Sequence, residues 1–421
     1  MFRYSFLLCL MQISYLYVQG LVDGDWGKLD ASATLKVAYD SRVFGMPSNE
    51  FKAIKESGGG GGVDTSRLES EDDIIVTFSP ALHFSNKLGL FKLSGSAGVQ
   101  ISQYLLNSEM SNIVPTTSLT VDFDDTLALK KRISNNAKIR FDSTFDIGQQ
   151  IGASVLEQDL VSYTYISTGL NVRYNHSPKF GVGGGTSYSY RFYQSANTDN
   201  KPNLDFSTLP LSFSAFYIHS EKLDFFTNYT FSRSRAHDAT QENLTDAINH
   251  SINIGADGTY SSKLSGKLAV GYSLVDYDMS SQTNQDNLIT SVSLSWKHNS
   301  KTSSNYSVNR AFSPTAQGFS TFTTSLRAGL THRFTDTLSG GSYLSYGFSE
   351  YTYPQPPNDD LNQGKIDSST MTTYGMGLNV SKKLSKMFSS SGGYDFSLMD
   401  KGTDVGTYGR HLLHASIIGR F

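Results

Sequence analysis

The chain has 421 residues, with 35 basic and 38 acidic side chains and a formal net charge of −3. The basic residues are spread along the sequence rather than clustered, which excludes an electrostatic footprint for nucleic acid. Hydrophobic residues make up only 38%, while Phe and Tyr number 26 and 24. So few aliphatics argue against the two or three packed soluble domains that this length could hold; the usage is that of a β-barrel wall in lipid.

At the N-terminus, Arg3 precedes an apolar run from Phe6 to Val18, shorter than the ~20 residues that span a bilayer as a helix. Small and polar residues follow around Gly20. Segment 1–20 is therefore expected to be a secretory signal peptide, leaving 21–421 as a single outer-membrane β-barrel domain exported through the periplasm. Cys9 is the only cysteine and falls in that leader, so the mature chain is expected to carry no thiol and no disulfide.

From residue 28 the dominant period is two, the spacing at which successive side chains face opposite sides of a sheet. Leu29, Ala31, Ala33, Leu35, Val37 and Tyr39 alternate with Asp30, Ser32, Thr34, Lys36, Ala38 and Asp40. The same alternation recurs from Phe91 to Ile101, from Phe180 to Phe192 and from Leu264 to Leu274. Short turns are expected near Asn86-Lys87, Ser134-Asn135, Ser177-Pro178, Ser220-Glu221, Ser261-Ser262, Asn299-Ser300, Thr335-Asp336 and Lys383-Leu384, with longer polar connections between them, the longest at 41–72 and 349–370. The eight short turns and nine long connections join about 18 strands and return both ends to one rim. The expected fold is thus all-β, a transmembrane antiparallel up-and-down β-barrel.

Position relative to the turns adds information that strand propensity alone does not. Phe84, Phe91, Tyr174, Phe180, Tyr217, Tyr260, Trp296 and Phe334 flank short turns, as a lower aromatic girdle would. Tyr39, Phe123, Phe192, Phe231, Phe312, Phe348 and Phe396 lie near long connections and form the expected upper girdle. The chain ends on Phe421, in phase with Leu413, Ala415 and Ile417. A terminal aromatic on an alternating strand is similar to the signal read by the outer-membrane assembly machinery, although Gly419 stands where a bulkier residue is usual.

The opening strand ends in Tyr39-Asp40-x-x-Val43-Phe44; an acidic pair, Asp72-Asp73, and an apolar run ending in Ser79-Pro80-x-Leu82 follow a glycine-rich gap. This stretch resembles the second family of porin-like outer-membrane β-barrels, often associated with exopolysaccharide operons; Arg42 departs from its usual short polar residue. The resemblance implies an outer-membrane barrel serving polysaccharide passage.

No catalytic constellation accompanies the pattern. H-E-x-x-H and G-x-S-x-G are absent, and the glycines from Gly58 to Gly62 lack the Lys-Ser/Thr of a phosphate loop. His83, His176, His219, His298 and His332 sit at or near short turns and are read as solvated, because residues spread round a wide barrel do not converge on a metal. No cofactor is expected. What remains is the polar phase: Lys36, Lys92, Lys138, Arg140, Arg173, Arg191, Lys267, Arg327 and Arg333 with Asp122, Asp124, Asp142 and Asp146. Arg or Lys on the lipid face near the midplane would cost about 2–4 kcal/mol, which assigns these charges to the lumen.

The expected function is a porin-like channel for passive diffusion of small polar solutes or passage of saccharides. The alternative is a closed structural or secretion-partner barrel associated with exopolysaccharide export; an outer-membrane hydrolase ranks below both. Expected partners are outer-membrane lipid, the barrel-assembly machinery, and a polysaccharide or small polar solutes. A homotrimer is the oligomer that wide porins commonly form.

Overall fold

The structure is a computed structural model, and it describes residues 22–24, 27–57, 69–124, 136–143, 148–153, 160–193, 205–237, 246–278, 284–314, 320–352, 370–400 and 406–421. In chain order the strands are β1 (Val22–Gly24), β2 (Gly27–Asp40), β3 (Asp73–Leu88), β4 (Phe91–Tyr104), β5 (Asn112–Asp124), β6 (Asn136–Ser143), β7 (Gly148–Ala153), β8 (Leu160–Asn175), β9 (Phe180–Tyr193) and β10 (Asp205–Ser220). They continue with β11 (Leu223–His237), β12 (Ala247–Thr259), β13 (Leu264–Tyr277), β14 (Gln285–Lys297), β15 (Thr302–Pro314), β16 (Ser320–Arg333), β17 (Leu338–Thr352), β18 (Thr370–Lys383), β19 (Phe388–Asp400) and β20 (Thr407–Arg420). One helix, α1 (Ser48–Ser57), lies in the first long connection.

Each wall strand pairs antiparallel with its neighbours in sequence, and β2 pairs with β20 from Ser32↔Arg420 to Asp40↔Leu412, which closes the ring. Joining first strand to last removes the two edges that an open sheet would expose, the condition for a sheet to stand in hydrocarbon. β1 only folds back on the start of β2, and β6 and β7 both pair with β8, at 169–175 and 160–165, as two pieces of one wall strand. Among the described residues, eighteen strands therefore make the wall. β7 thus carries the wall past β6 to Ala153.

Turn chemistry explains why the short connections resemble one another. The Ser177 hydroxyl accepts the backbone N–H groups of Lys179 and Phe180, and Ser261, Thr335 and Ser385 do the same for the second and third residues after them. Asn299 uses its side-chain carbonyl in the same way on Lys301 and Thr302. One short side chain thus satisfies two donors that the reversal would otherwise strand. The expected turn at Asn86-Lys87 lies three residues further on. β3 and β4 stay paired to Leu88↔Phe91, and Gly89 takes φ +60° in the two-residue reversal, where only glycine is unstrained.

Outer-phase side chains such as Phe91, Val172, Phe180, Phe213, Ile254, Leu288, Leu344 and Leu413 are exposed and apolar. Burying them in hydrocarbon is the main force that holds the barrel in a membrane. Three of the turn histidines lie beside aromatic rings: His298 stacks on Trp296 at 5.7 Å, His332 meets Phe334 edge-on at 4.8 Å and His219 meets Phe225 at 5.9 Å. An amphipathic ring at the headgroup level has an apolar body to bury and a polar edge to keep wet.

The C-terminus completes the closing seam. Phe421 exchanges backbone hydrogen bonds with Ala31, at 2.8 and 3.0 Å, and its ring meets Phe388 edge-on at 5.8 Å. Gly419 has a purpose here. A Cβ on it would stand 2.9 Å from the Phe421 ring and 3.0 Å from that of Phe388, so the missing side chain makes the space that both rings occupy.

Candidate functional site, the inner wall

Inner-phase residues present three variants of one arrangement, in which an aromatic ring lies against a glycine on the next strand and carries a cation on its face. Arg173 lies 4.3 Å from the centre of Phe216, Lys267 5.1 Å from Phe226, and Arg327 3.5 Å from Tyr343. The glycines beneath are Gly183, Gly255 and Gly377; a Cβ at Gly255 would stand 2.8 Å from the Phe226 ring, and one at Gly377 would overlap Tyr343. Glycine lets the ring lie flat, and the flat ring holds the cation against the wall by cation–π attraction.

The cations differ in how they are neutralised. Arg173 donates to Asp224 at 2.6 Å and to Asn175 at 3.1 Å. Lys267 and Arg327 have no ion pair among the described residues. Tyr343, under Arg327, donates to Asp395 at 2.6 Å, and the other carboxylate oxygen of Asp395 stands 3.6 Å from His414 Nδ1. Lys36 and Lys92 stand on the same phase of β2 and β4, and Arg191 on that of β9, opposite Phe206. Arg333, at the lower rim, donates to the Ser300 carbonyl at 2.8 Å.

Along β4, β5 and β6 the backbone register sets opposite charges at facing positions, Lys92↔Asp122, Asp122↔Arg140 and Asp124↔Lys138, with Asp142 opposite Thr120, whereas on β8 the position facing Lys138 is the like-charged Arg173. The side chains of Asp124, Lys138, Arg140 and Asp142, and Asp146 altogether, lie outside the described residues. Among the described residues no cluster has a composition that would hold a metal ion. The hollow of about 500 Å³ bounded by His298, Ser304, Ala328, Leu330, Leu344 and Met376 is lined chiefly by outer-phase side chains and faces lipid rather than solute.

At the long-loop rim the first connection folds onto the inner phase of the wall. Val43, Phe44, Met46 and Phe51 from the loop and α1 form one apolar cluster with Tyr104 and Met110, against which Ile75 packs. Tyr408, from β20, donates to the Gly45 carbonyl, and Arg42 pairs with Glu71. Two fully buried side chains tie the far end of the loop. The Asp73 carboxylate accepts the backbone N–H groups of Leu105, Leu106 and Asn107 at 2.8–3.0 Å and the Asn107 amide at 2.8 Å. Asn107 in turn accepts from the backbone of Glu69 and Ser70. Beside this knot the Ser70 hydroxyl, donating at 2.7 Å, holds the Asp72 carboxyl below the usual carboxylate range.

Helix α1 was not foreseen from the period-two pattern. Its local signals were nonetheless present: Pro47 before the first turn, Glu50 within it, Lys55 in the last turn and the glycine run after Ser57.

Among the described residues a ring of eighteen antiparallel strands, joined first to last by β2 and β20, apolar outside and charged within, defines an outer-membrane β-barrel of the porin type. The chain belongs to the family described as Putative beta-barrel porin 2, which matches residues 62–402. That span leaves out the opening strand, on which part of the resemblance in sequence rested. No curated protein matches the chain. Among solved structures it is similar to OccK2 (OpdF) of Pseudomonas aeruginosa, at 10% identity and a TM-score of 0.48, covering 94% of this chain and 97% of that one. It is also similar to the outer-membrane channel DcaP of Acinetobacter baumannii, at 13% identity and a TM-score of 0.43, covering 96% and 100%.

Proposed function

We propose that the barrel is a non-enzymatic diffusion channel for small polar solutes or saccharides, exported through the periplasm with residues 1–20 removed. The reading is carried by the inner wall, where Lys267, which faces Asp257 across β12–β13 without a close ion pair, and Arg327 are held on aromatic rings. A wall with only a bracing role would neutralise its charges in cross-strand pairs. Cations held on rings instead meet whatever hydrated or anionic group enters the lumen.

Single-channel recording in planar bilayers tests this; a folded, reconstituted barrel that passes no ion current sinks it. In the double variant Lys267→Gln/Arg327→Gln, the ratio of cation to anion permeability, read from the reversal potential in a salt gradient, is expected to rise by about twofold. An unchanged ratio would remove these two side chains from the conduction path.

The second reading, a closed barrel that acts as a structural or secretion partner, draws support from the docking of the first loop onto the inner wall at the rim. It predicts absent current together with a stable complex in pull-downs from membranes. For assembly, deletion of Phe421 is expected to lower the amount of folded barrel in the outer membrane severalfold, read as heat-modifiable migration on a gel. Phe421→Trp should retain most of it, because the ring against Phe388 is kept.

A further inference from the structure

The short turns share a charge as well as their hydrogen bonds. A lysine occupies the third place of five of them, as Lys87, Lys179, Lys222, Lys263 and Lys301, two residues after Ser85, Ser177, Ser220, Ser261 and Asn299. In the last four its backbone is fixed at both ends. The turn side chain accepts the lysine N–H at 2.8–3.3 Å. The lysine carbonyl in turn accepts the N–H of Ile218, Thr259, Lys297 or Arg333 on the next hairpin, at 2.7–2.8 Å. The ladder therefore holds successive exposed charges at one level around the short-turn mouth, the periplasmic one in outer-membrane barrels.

Between β16 and β20 the charges gather round a cavity. A hollow of about 370 Å³ at this rim is bounded by Arg333, Lys383, Lys386 and Arg420, together with Ser339, Ser381 and Ser389. Arg333, Lys383 and Arg420 alternate with the outer residues Leu330, Val380 and Ile417 and so stand on the inner phase, which opens the hollow to the lumen rather than to lipid. Carboxylates near this level are few, and most are engaged. Asp30 pairs with Lys28 at 3.0 Å, Asp224 with Arg173 at 2.6 Å, and Asp122 faces Lys92. That leaves Asp336, which lines the same hollow, and Glu221 in the β10–β11 turn among the described residues. The β5–β6 turn lies outside them.

We propose that this mouth binds an anionic saccharide chain arriving from the periplasmic side, with one acidic group in the hollow and the next ones on the turn lysines. The inference rests on the channel reading and names its substrate class. Strands lie about 4.8 Å apart, so lysines on successive hairpins are about 10 Å apart. They are too widely spaced to converge on one small anion and suit a ligand whose charge repeats along a chain. Each exposed contact is weak alone, and several on one chain reinforce one another. Above the ring the inner phase carries Ser265, Ser295 and Ser303, whose hydroxyls match those of a sugar. An acidic protein would look for aromatic anchors, whereas Phe180, Trp296, Phe334 and Phe388 stand on the lipid side.

Calorimetry on the barrel in detergent, with heat-modifiable migration as the check of folding, gives a readout that needs no current. An oligogalacturonate should bind and a neutral malto-oligosaccharide of the same length should not. Raising the salt about fourfold should weaken binding by about tenfold, because the contacts are screened and release counterions. The triple variant Lys383→Gln/Lys386→Gln/Arg420→Gln should bind about tenfold more weakly, while Arg233→Gln/Arg235→Gln, at the long-loop end of β11, should bind as the parent does. In planar bilayers, with orientation read from thiol labelling of Ser262→Cys in the β12–β13 turn, the oligogalacturonate should block current from the short-turn side at about tenfold lower concentration than from the loop side. Equal binding of the neutral chain, an unchanged triple variant, or equal block from both sides overturns the proposal. Tighter binding of an oligoglutamate than of the oligogalacturonate overturns it in favour of an acidic protein partner. Current absent from every preparation sinks the channel reading instead, while calorimetry still decides whether the mouth takes an acidic saccharide.

Discussion

Replacing Asp73 by Ala is expected to free the first long loop from the barrel mouth while leaving the barrel itself folded. The Asp73 carboxylate is fully buried and is the common acceptor for three backbone N–H groups and the Asn107 amide. Removing the carboxylate leaves the Leu106 and Asn107 N–H groups without their acceptor, while Leu105 keeps the Ile74 carbonyl, so that at about 1–2 kcal/mol for each stranded backbone group docking loses about 2–4 kcal/mol. The apolar cluster around Phe44 and Phe51 does not by itself hold the loop, because the chain between Glu69 and Asp73 is fixed through Asn107. Limited trypsin digestion of the folded barrel should then cut after Lys52 or Lys55 at least tenfold faster, an effect that corresponds to only ~1.4 kcal/mol. The Asp73→Asn variant, which keeps the shape and one acceptor oxygen, should fall between. Unchanged protection in Asp73→Ala would show that the hydrogen-bonded knot is not what docks the loop.

The second large effect is expected at the closing seam. Asp40 on β2 is almost fully buried and takes a forked contact from Arg410 on β20, whose Nε lies 2.9 and 3.2 Å from the two carboxylate oxygens and whose Nη2 also donates. Arg42 adds a backbone N–H at 3.0 Å. Asp40→Leu leaves a guanidinium in a largely enclosed site without its partner, and removing one member of a buried pair costs about 3–5 kcal/mol. The temperature at which the folded gel band converts to the unfolded one should fall markedly. Replacing both partners, Asp40→Leu/Arg410→Met, should recover most of the loss, because it removes the stranded charge along with the pair. A double variant as unstable as the single would assign the defect to lost packing rather than to the unpaired cation.

The two regions differ in how far the sequence announced them. Asp40 was legible as an inner-phase residue because it ends a run of strict alternation from Leu29, and the strand count required β2 to meet β20. Its partner was not legible. Arg410 lies 370 residues away, and only the closing register, with Asp40 opposite Leu412, brings the two together. Asp73 was read as half of an acidic pair that marks a family motif, and nothing local to it foretells Asn107.

The inner wall shows the same division. Alternation placed Arg173, Lys267 and Arg327 on the polar phase together with Lys36, Lys92, Arg191 and Arg333. It could not distinguish a cation neutralised by Asp224 from one held on a ring, since those contacts depend on which strands are adjacent and on glycine one strand over.

Period, apolar and polar phases, lower-rim turn chemistry and an even strand count are all written in the chain, because each is set by neighbours within a hairpin of about 40 residues. Where the wall departs from that regularity emerges from the folded barrel alone. Phe312 reads as a residue of the upper girdle and would be one if β14 and β15, whose pairing stops at Thr290↔Arg310, stayed paired to their ends. Whether they do depends on the competition between a few more ladder hydrogen bonds and a cluster drawn from β12, β13, β14, β15 and β16. That balance is a sum over segments distant in sequence, and a pattern of period two carries no record of it.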